Sequence, residues 1–148
     1  MHFDIAFPID LIRFNSTYPP RYLNAKDLDK PAADVTITKM VIQCPFKTDW
    51  EVYVSRTDGI RCRDVFDAIY ASFNTVLTPL ERQSIPLKDR KSYEEACKLR
   101  CKATHGLTAV EEAQGLKRVD VLLHNTVFQG LTQPKSGGDW VLNLGRSA

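Results

Sequence analysis

A chain of 148 residues with 43% hydrophobic and 26% charged residues has the size and usage of one globular domain, expected to bury roughly 70% of its unfolded surface. A formal charge of +2 and a pI near 8.3, with Lys and Arg interleaved among Asp and Glu, exclude an electrostatic nucleic-acid binder; such domains carry a basic stripe or a pI above about 9. No run approaches the ~20 apolar residues of a membrane span, and the start Met1-His2-Phe3-Asp4-Ile5-Ala6-Phe7-Pro8 has neither region of a signal peptide, so a cytoplasmic or nuclear protein is expected.

Residues 1–35 read as an N-terminal arm packed on the domain. Phe7, Ile9, Leu11, Ile12 and Phe14 supply apolar anchors without a clean period, and Tyr18-Pro19-Pro20 forces an extended path. Burial of those anchors would offset the entropy of ordering the arm. The sequon Asn15-Ser16-Thr17 has no role without a secretory route. Residues 36–55 predict a hairpin: Met40, Ile42 and Cys44 share one face, Pro45-Phe46-Lys47-Thr48-Asp49 turns, and Trp50, Val52 and Val54 alternate with Glu51, Tyr53 and Ser55. Thr57-Asp58-Gly59 closes this unit.

The spacing of Val65, Phe66, Ile69, Tyr70, Phe73, Val76 and Leu77 predicts the main helix over 62–77. A helical insertion at 78–115 follows, with capping-box patterns at Thr78-Pro79-Leu80-Glu81, Ser92-Tyr93-Glu94-Glu95 and Thr108-Ala109-Val110-Glu111. Gly106 and Gly115 are placed to end the second and third of these helices. Residues 116–144 predict strands: Val119, Val121 and Leu123 alternate, Val127-Phe128 to Leu131 forms a second, and Trp140, Leu142 and Leu144 a third. On the first, Arg118 and Asp120 would share an outward face as a local ion pair, worth little in water.

The candidate chemistry is weighed against plainer readings. Cys97, Cys101 and His105 are spaced four and four on one predicted helix and could offer two thiolates and an imidazole to zinc, with His124 as fourth ligand. The favoured reading packs both cysteines in the core and sets His105 by a helix C-terminus, because structural zinc sites use shorter Cys-x-x-Cys loops. A Cys–His nucleophile from Cys44 or Cys101 with His105 or His124 lacks a nucleophile elbow. Cys62 stands at a helix start that could lower its pKa, but it reads first as an apolar packing position. All four cysteines are expected as free thiols. Gly137-Gly138 lacks the Gly-Lys-Ser order of a phosphate loop, and Asp64, Asp67, Asp120, Glu94 and Glu95 read as caps and solvated faces. Trp50 and Trp140 read as core aromatics at the starts of two neighbouring strands. Aromatics that could serve a partner are Tyr18, Tyr22, Phe46 and Tyr53. No catalytic, cofactor or metal residue is assigned.

The element order — hairpin, helix, helical insertion, short strands, final strand — predicts an α+β fold, with a β-grasp-like (ubiquitin-like) mixed sheet packed by one main helix. In that plan the strands at 37–44 and 139–144 are adjacent. A set of segments also resembles a family of small domains of mushroom-forming fungi, domain-of-unknown-function family 6699. They are Pro31-Ala32, Trp50-Glu51-Val52, the run Gly59 to Ile69, Leu77-Thr78-Pro79-Leu80-Glu81, Lys117 to Leu122, Phe128-Gln129-Gly130-Leu131 and Trp140. The resemblance implies a shared fold and carries no activity with it. The expectation is a protein-interaction or adaptor module without catalysis, not a conjugated modifier, since Leu144-Gly145-Arg146-Ser147-Ala148 lacks Gly-Gly. It would bind protein, not nucleic acid or membrane, through a sheet face, an edge strand or the Tyr-Pro-Pro arm. The alternative is a small-molecule or enzymatic domain with a pocket between the helical insertion and the sheet.

Overall fold

The structure, a computed structural model, describes residues 1–44, 47, 49–104 and 106–147. The chain forms β1 (Arg13–Phe14), β2 (Arg21–Tyr22), α1 (Ala25–Leu28), β3 (Lys39–Gln43), β4 (Val52–Ser55), α2 (Cys62–Phe73) and α3 (Pro79–Gln83). It continues with α4 (Leu87–Ala103), α5 (Thr108–Gln114), α6 (Arg118–Val121), β5 (Val127–Thr132) and β6 (Trp140–Gly145). The architecture is α+β. A small antiparallel β1–β2 pair accompanies a mixed four-stranded sheet in the order β4-β3-β6-β5. The expected adjacency of the first and last long strands is observed: Ile42 pairs with Trp140 and Gln43 with Val141, in parallel. That arrangement is compatible with the β-grasp plan. Trp50, however, precedes β4 and Trp140 opens β6, and these two strands lie on opposite sides of β3 rather than side by side.

The inner face follows the period-2 pattern. Met40, Ile42, Val52, Val54 and Leu142 are buried and meet Val65, Phe66, Ile69 and Phe73 of α2 in a single apolar cluster. The arm enters this cluster too, with Phe3, Ile5 and Ile12 almost wholly buried. The Phe3 ring packs edge-on against Phe66 at 5.4 Å, and the arm backbone bonds along the outer edge of β5 through Ile5 N–H to Thr126 O and Phe128 N–H to Phe3 O. One sheet edge is therefore covered. The turn expected at 45–49 lies in part outside the described residues.

α2 begins where Asp64 Oδ2 accepts the Arg61 N–H at 2.8 Å. It ends at Phe73, short of the predicted 77. Asn74 Nδ2 donates to Tyr70 O and Ile5 O, after which Leu77 N–H bonds Leu116 O and Arg118 N–H bonds Thr75 O. Those long-range bonds hold 75–77 extended, so the helical periodicity is overridden by a tertiary pairing. Gly59 sits at φ +105°, where a Cβ would also press on Thr36, so the turn after β4 requires glycine.

Two expectations in the insertion and one just beyond it are corrected. The Thr78 box is present, with Thr78 Oγ1 accepting the Glu81 N–H and Glu81 Oε1 accepting the Thr78 N–H. Ser92, however, lies exposed inside α4, which starts after Pro86. Thr108 is already helical and caps nothing with its side chain, while Gly115 at φ +81° does end α5. The predicted strand through Val119 to Leu123 is instead α6, which buries Val119 and Leu122 at helical spacing. The reason is Asp120. Its Oδ2 accepts the Lys117 N–H at 2.8 Å, and its carboxylate takes a two-pronged contact from Arg100 of α4, at 2.9 and 3.1 Å. Asp120 is thus buried, not on a solvated face, and its partner is not Arg118. The Arg118 guanidinium lies over Trp50 at 5.3 Å and donates to Ser72 Oγ.

The Arg100–Asp120 pair is 6% and 2% exposed, and Arg100 Nη1 stands 3.6 Å from Glu111, which also faces Lys117 at 3.6 Å. Removing one partner leaves the other charge buried. Asp120→Ala is expected to cost about 3–5 kcal/mol in urea unfolding, and Arg100→Met combined with Asp120→Leu to recover most of that loss. Glu81 supplies a pH test. Its carboxyl is held below its usual 4.5 by the Thr78 N–H and by the Trp50 indole, which donates at 3.0 Å. The folded state then binds this proton less readily than the unfolded one, so the contribution is present above pH 4.5 and lost as pH falls through the lowered value. Glu81→Gln is expected to flatten that part of the acid limb of the stability–pH curve.

Candidate functional site

The predicted chemical residues do not converge. Cys97 and Cys101 are buried in α4, where Cys97 Sγ accepts from Arg100 Nη2 at 3.4 Å. Burial, with the Asp120 charge beside it, pushes the Cys97 thiol up to about 12, which opposes thiolate formation. His105 lies outside the described residues. His124 is exposed between α6 and β5, and its carbonyl accepts the Ser147 N–H. No cluster of three or more His, Cys, Asp or Glu able to hold a metal occurs among the described residues. Cys44 is buried at the end of β3. Cys62 opens α2 as expected, but its thiol is raised by desolvation rather than lowered by the helix start. It is half-buried and lies 3.7 Å from Pro31 O, to which it donates. Asp64 caps α2 and meets Arg56; Asp67, Glu94 and Glu95 are exposed. Among the partner candidates, Tyr18 (100% exposed), Tyr22 and Tyr53 are on the surface, whereas Phe46 is outside the described residues.

The concave feature of the surface arises instead from the shape of the sheet. β3 starts at Lys39, but β6 pairs only with Ile42 and Gln43. The first half of β3 therefore has β4 on one side and no strand on the other. The Arg56 N–H to Thr38 O bond sets the ladder alternation, so residues 38, 40 and 42 bond toward β4 and residue 39 points away from it. Among the described residues, Lys39 N–H and C=O take part in none of the loop and turn bonds, and the β6 ladder on that side begins only at Ile42.

Around this split end the loops 33–35 and 133–139 form two banks of an open trough of about 1000 Å³. Its floor carries Val41 and Tyr53, a cross-strand pair on the outer face of the sheet. Val35 and Tyr53 are 70% and 71% exposed. The rim is charged and polar: Lys39, Asp34, and Asp139, which accepts from Gln43 Nε2 at 2.7 Å. The Tyr53 hydroxyl donates to Glu51 at 2.6 Å, which raises its pKa. Continuous with the trough through Ala33, Ile37, Met40 and Trp140 is a smaller chamber of about 260 Å³ between α2 and the sheet. A small pocket of about 90 Å³ does lie between the insertion and the approach to β4, beside Trp50, Glu81 and Tyr93, whereas the larger chamber lies at the other end of α2, beside Cys62. Tyr53 is the one trough residue that the sequence had singled out as a partner contact; Gly138 and Trp140 had been read as turn and core. The pair Ala32-Ala33, small residues just before β3, was the remaining signal, because alanine there leaves room that larger side chains would fill.

The family comparison agrees with the resemblance seen in the sequence. Residues 1–139 match the model of a family of unknown function (DUF6699), and the chain belongs to that family. The trough and chamber fall within the matched span except for the single residue Trp140. No protein of curated function and no solved structure matches the chain.

Exposure separates the cysteines. Cys44, Cys97 and Cys101 are buried at 2%, 8% and 0% exposure, and Cys62 is not. A small alkylating reagent is expected to add one equivalent to the folded protein, at Cys62, and the other three only in denaturant. Peptide mapping by mass spectrometry checks the assignment.

Proposed function

We propose that this domain is a protein-interaction module that binds an extended peptide segment in the trough and performs no chemistry of its own. One observation carries the reading: the backbone of Lys39 faces an open trough because β6 stops short of it. An extended chain is the ligand whose own N–H and C=O groups complement such an edge. The apolar floor of Val35, Val41 and Tyr53 would take its side chains, and the rim charges of Asp34, Lys39 and Asp139 would orient it. The ubiquitin-like reading of the fold belongs to the same proposal and is supported by the central parallel pair β3–β6. A fungal source rests on the family resemblance. A cytoplasmic or nuclear setting rests on the sequence reading, with no helix among the described residues long and apolar enough to cross a membrane.

The test is selection of random linear peptides displayed on phage against the whole immobilised protein. Peptides with a common apolar pattern are expected. Tyr53→Ala and Val35→Asp should each weaken the selected peptides at least tenfold. Both positions are exposed, so unfolding midpoints should move by no more than about 0.5 kcal/mol equivalent. Peptides that bind both variants as well as they bind the parent protein would place the site elsewhere and sink the trough reading.

A further inference from the structure

The chamber beneath the trough has a different chemistry from the trough. Its walls are Phe66 and Val65 of α2, Phe128 and Leu131 of β5, Met40 of β3 and Trp140 of β6, with Ala32 and Cys62 also in the lining. No Asp, Glu, Lys, Arg or His lines it. A charged ligand would lose its hydration there without a counter-charge, a cost of several kcal/mol or more. The volume of about 260 Å³ exceeds the ~150 Å³ of an apolar cavity known to hold benzene. The wall is also rich in groups that favour rings. Phe66 and Phe128 already meet edge to face at 5.6 Å, and the Trp140 indole and Met40 thioether complete surroundings in which an aromatic guest finds edge-to-face and sulfur–ring contacts.

We infer that the chamber is a binding site for a small, neutral aromatic ring. The inference goes beyond the peptide reading and does not depend on it: Ala33, Ile37, Met40 and Trp140 border both cavities, but Val35, Val41 and Tyr53, on which the peptide reading rests, take no part in the chamber. Access is from the trough side, past Ala33, Ile37 and Trp140, the half-buried residues common to both cavities.

The whole protein is tested with toluene and with benzylamine, its positively charged near-isostere at neutral pH, and the readout is alkylation of Cys62, which sits in the chamber wall. Toluene is expected to slow Cys62 alkylation saturably, by at least fivefold, and to raise the melting temperature; benzylamine should do neither. Ala32→Leu fills the chamber and should abolish the toluene effect. Leu131→Ala enlarges it from another wall and should extend protection to naphthalene, so a failure of the first variant to fold leaves a second reading. Tyr53→Ala, which alters only the trough, should protect Cys62 as the parent protein does, and this separates the outcome from that of peptide selection. No saturable slowing by toluene up to its solubility, or equal slowing by benzylamine, overturns the inference.

Discussion

Two residue pairs hold the two ends of this fold together: Ile42 with Trp140 and Gln43 with Val141. They join segments almost a hundred positions apart, and every other element is arranged around the β3–β6 contact they make. Because side chains alternate along a strand, this register puts Ile42, Trp140 and Leu142 on the side of α2 and leaves Gln43 and Val141 outside. A slip of one residue would exchange the two faces, so the apolar pattern of both strands selects the register. The same pairing is short. Its brevity leaves the first half of β3 without a strand beside it, and the trough and chamber are the space that results.

The helical insertion is held by a different kind of force. α4 is a largely polar helix whose buried positions are Cys97, Arg100 and Cys101, too few apolar groups to seat it by the hydrophobic effect alone. Arg100 does the seating through Asp120 at the start of α6, with Gly115 O as a further acceptor and Glu111 as a further counter-charge. Such a pair gains little net free energy over apolar packing, but it is directional, and only one placement of α4 satisfies it. The high thiol pKa of Cys97 belongs to the same setting, since the thiol is buried there and a thiolate would add a second negative charge beside Asp120. This arrangement is structural, and it removes the cysteines of α4 from the search for a reactive site.

Much of the fold could be read from local patterns because local physics governs those segments. The inner faces of β3 and β4, the start of α2, the Thr78 box and the closing strand follow from periodicity and capping. Two of the misreadings fall where a distant partner decides. Val119, Val121 and Leu123 alternate like a strand, yet Arg100 draws Asp120 inward and a helical turn forms. Thr75 to Leu77 continues a helical pattern, yet bonds to Leu116 and Arg118 hold it extended. The candidate site was the least legible part. Its members come from loops 33–35 and 133–139, from β3 and β4, and from the first turn of α2, and their common feature is a gap, which no residue type encodes.

The sequence by itself determined the α+β class and which faces of the strands and of α2 turn inward, because burial of apolar side chains at periods of two and 3.6 is a local property. Only the tertiary structure decided where β6 begins relative to β3, which carboxylate Arg100 meets, and that Cys62 rather than Cys97 or Cys101 borders a cavity. Those outcomes depend on contacts between segments far apart in the chain. Their free energies come from geometry that exists only once the sheet has closed.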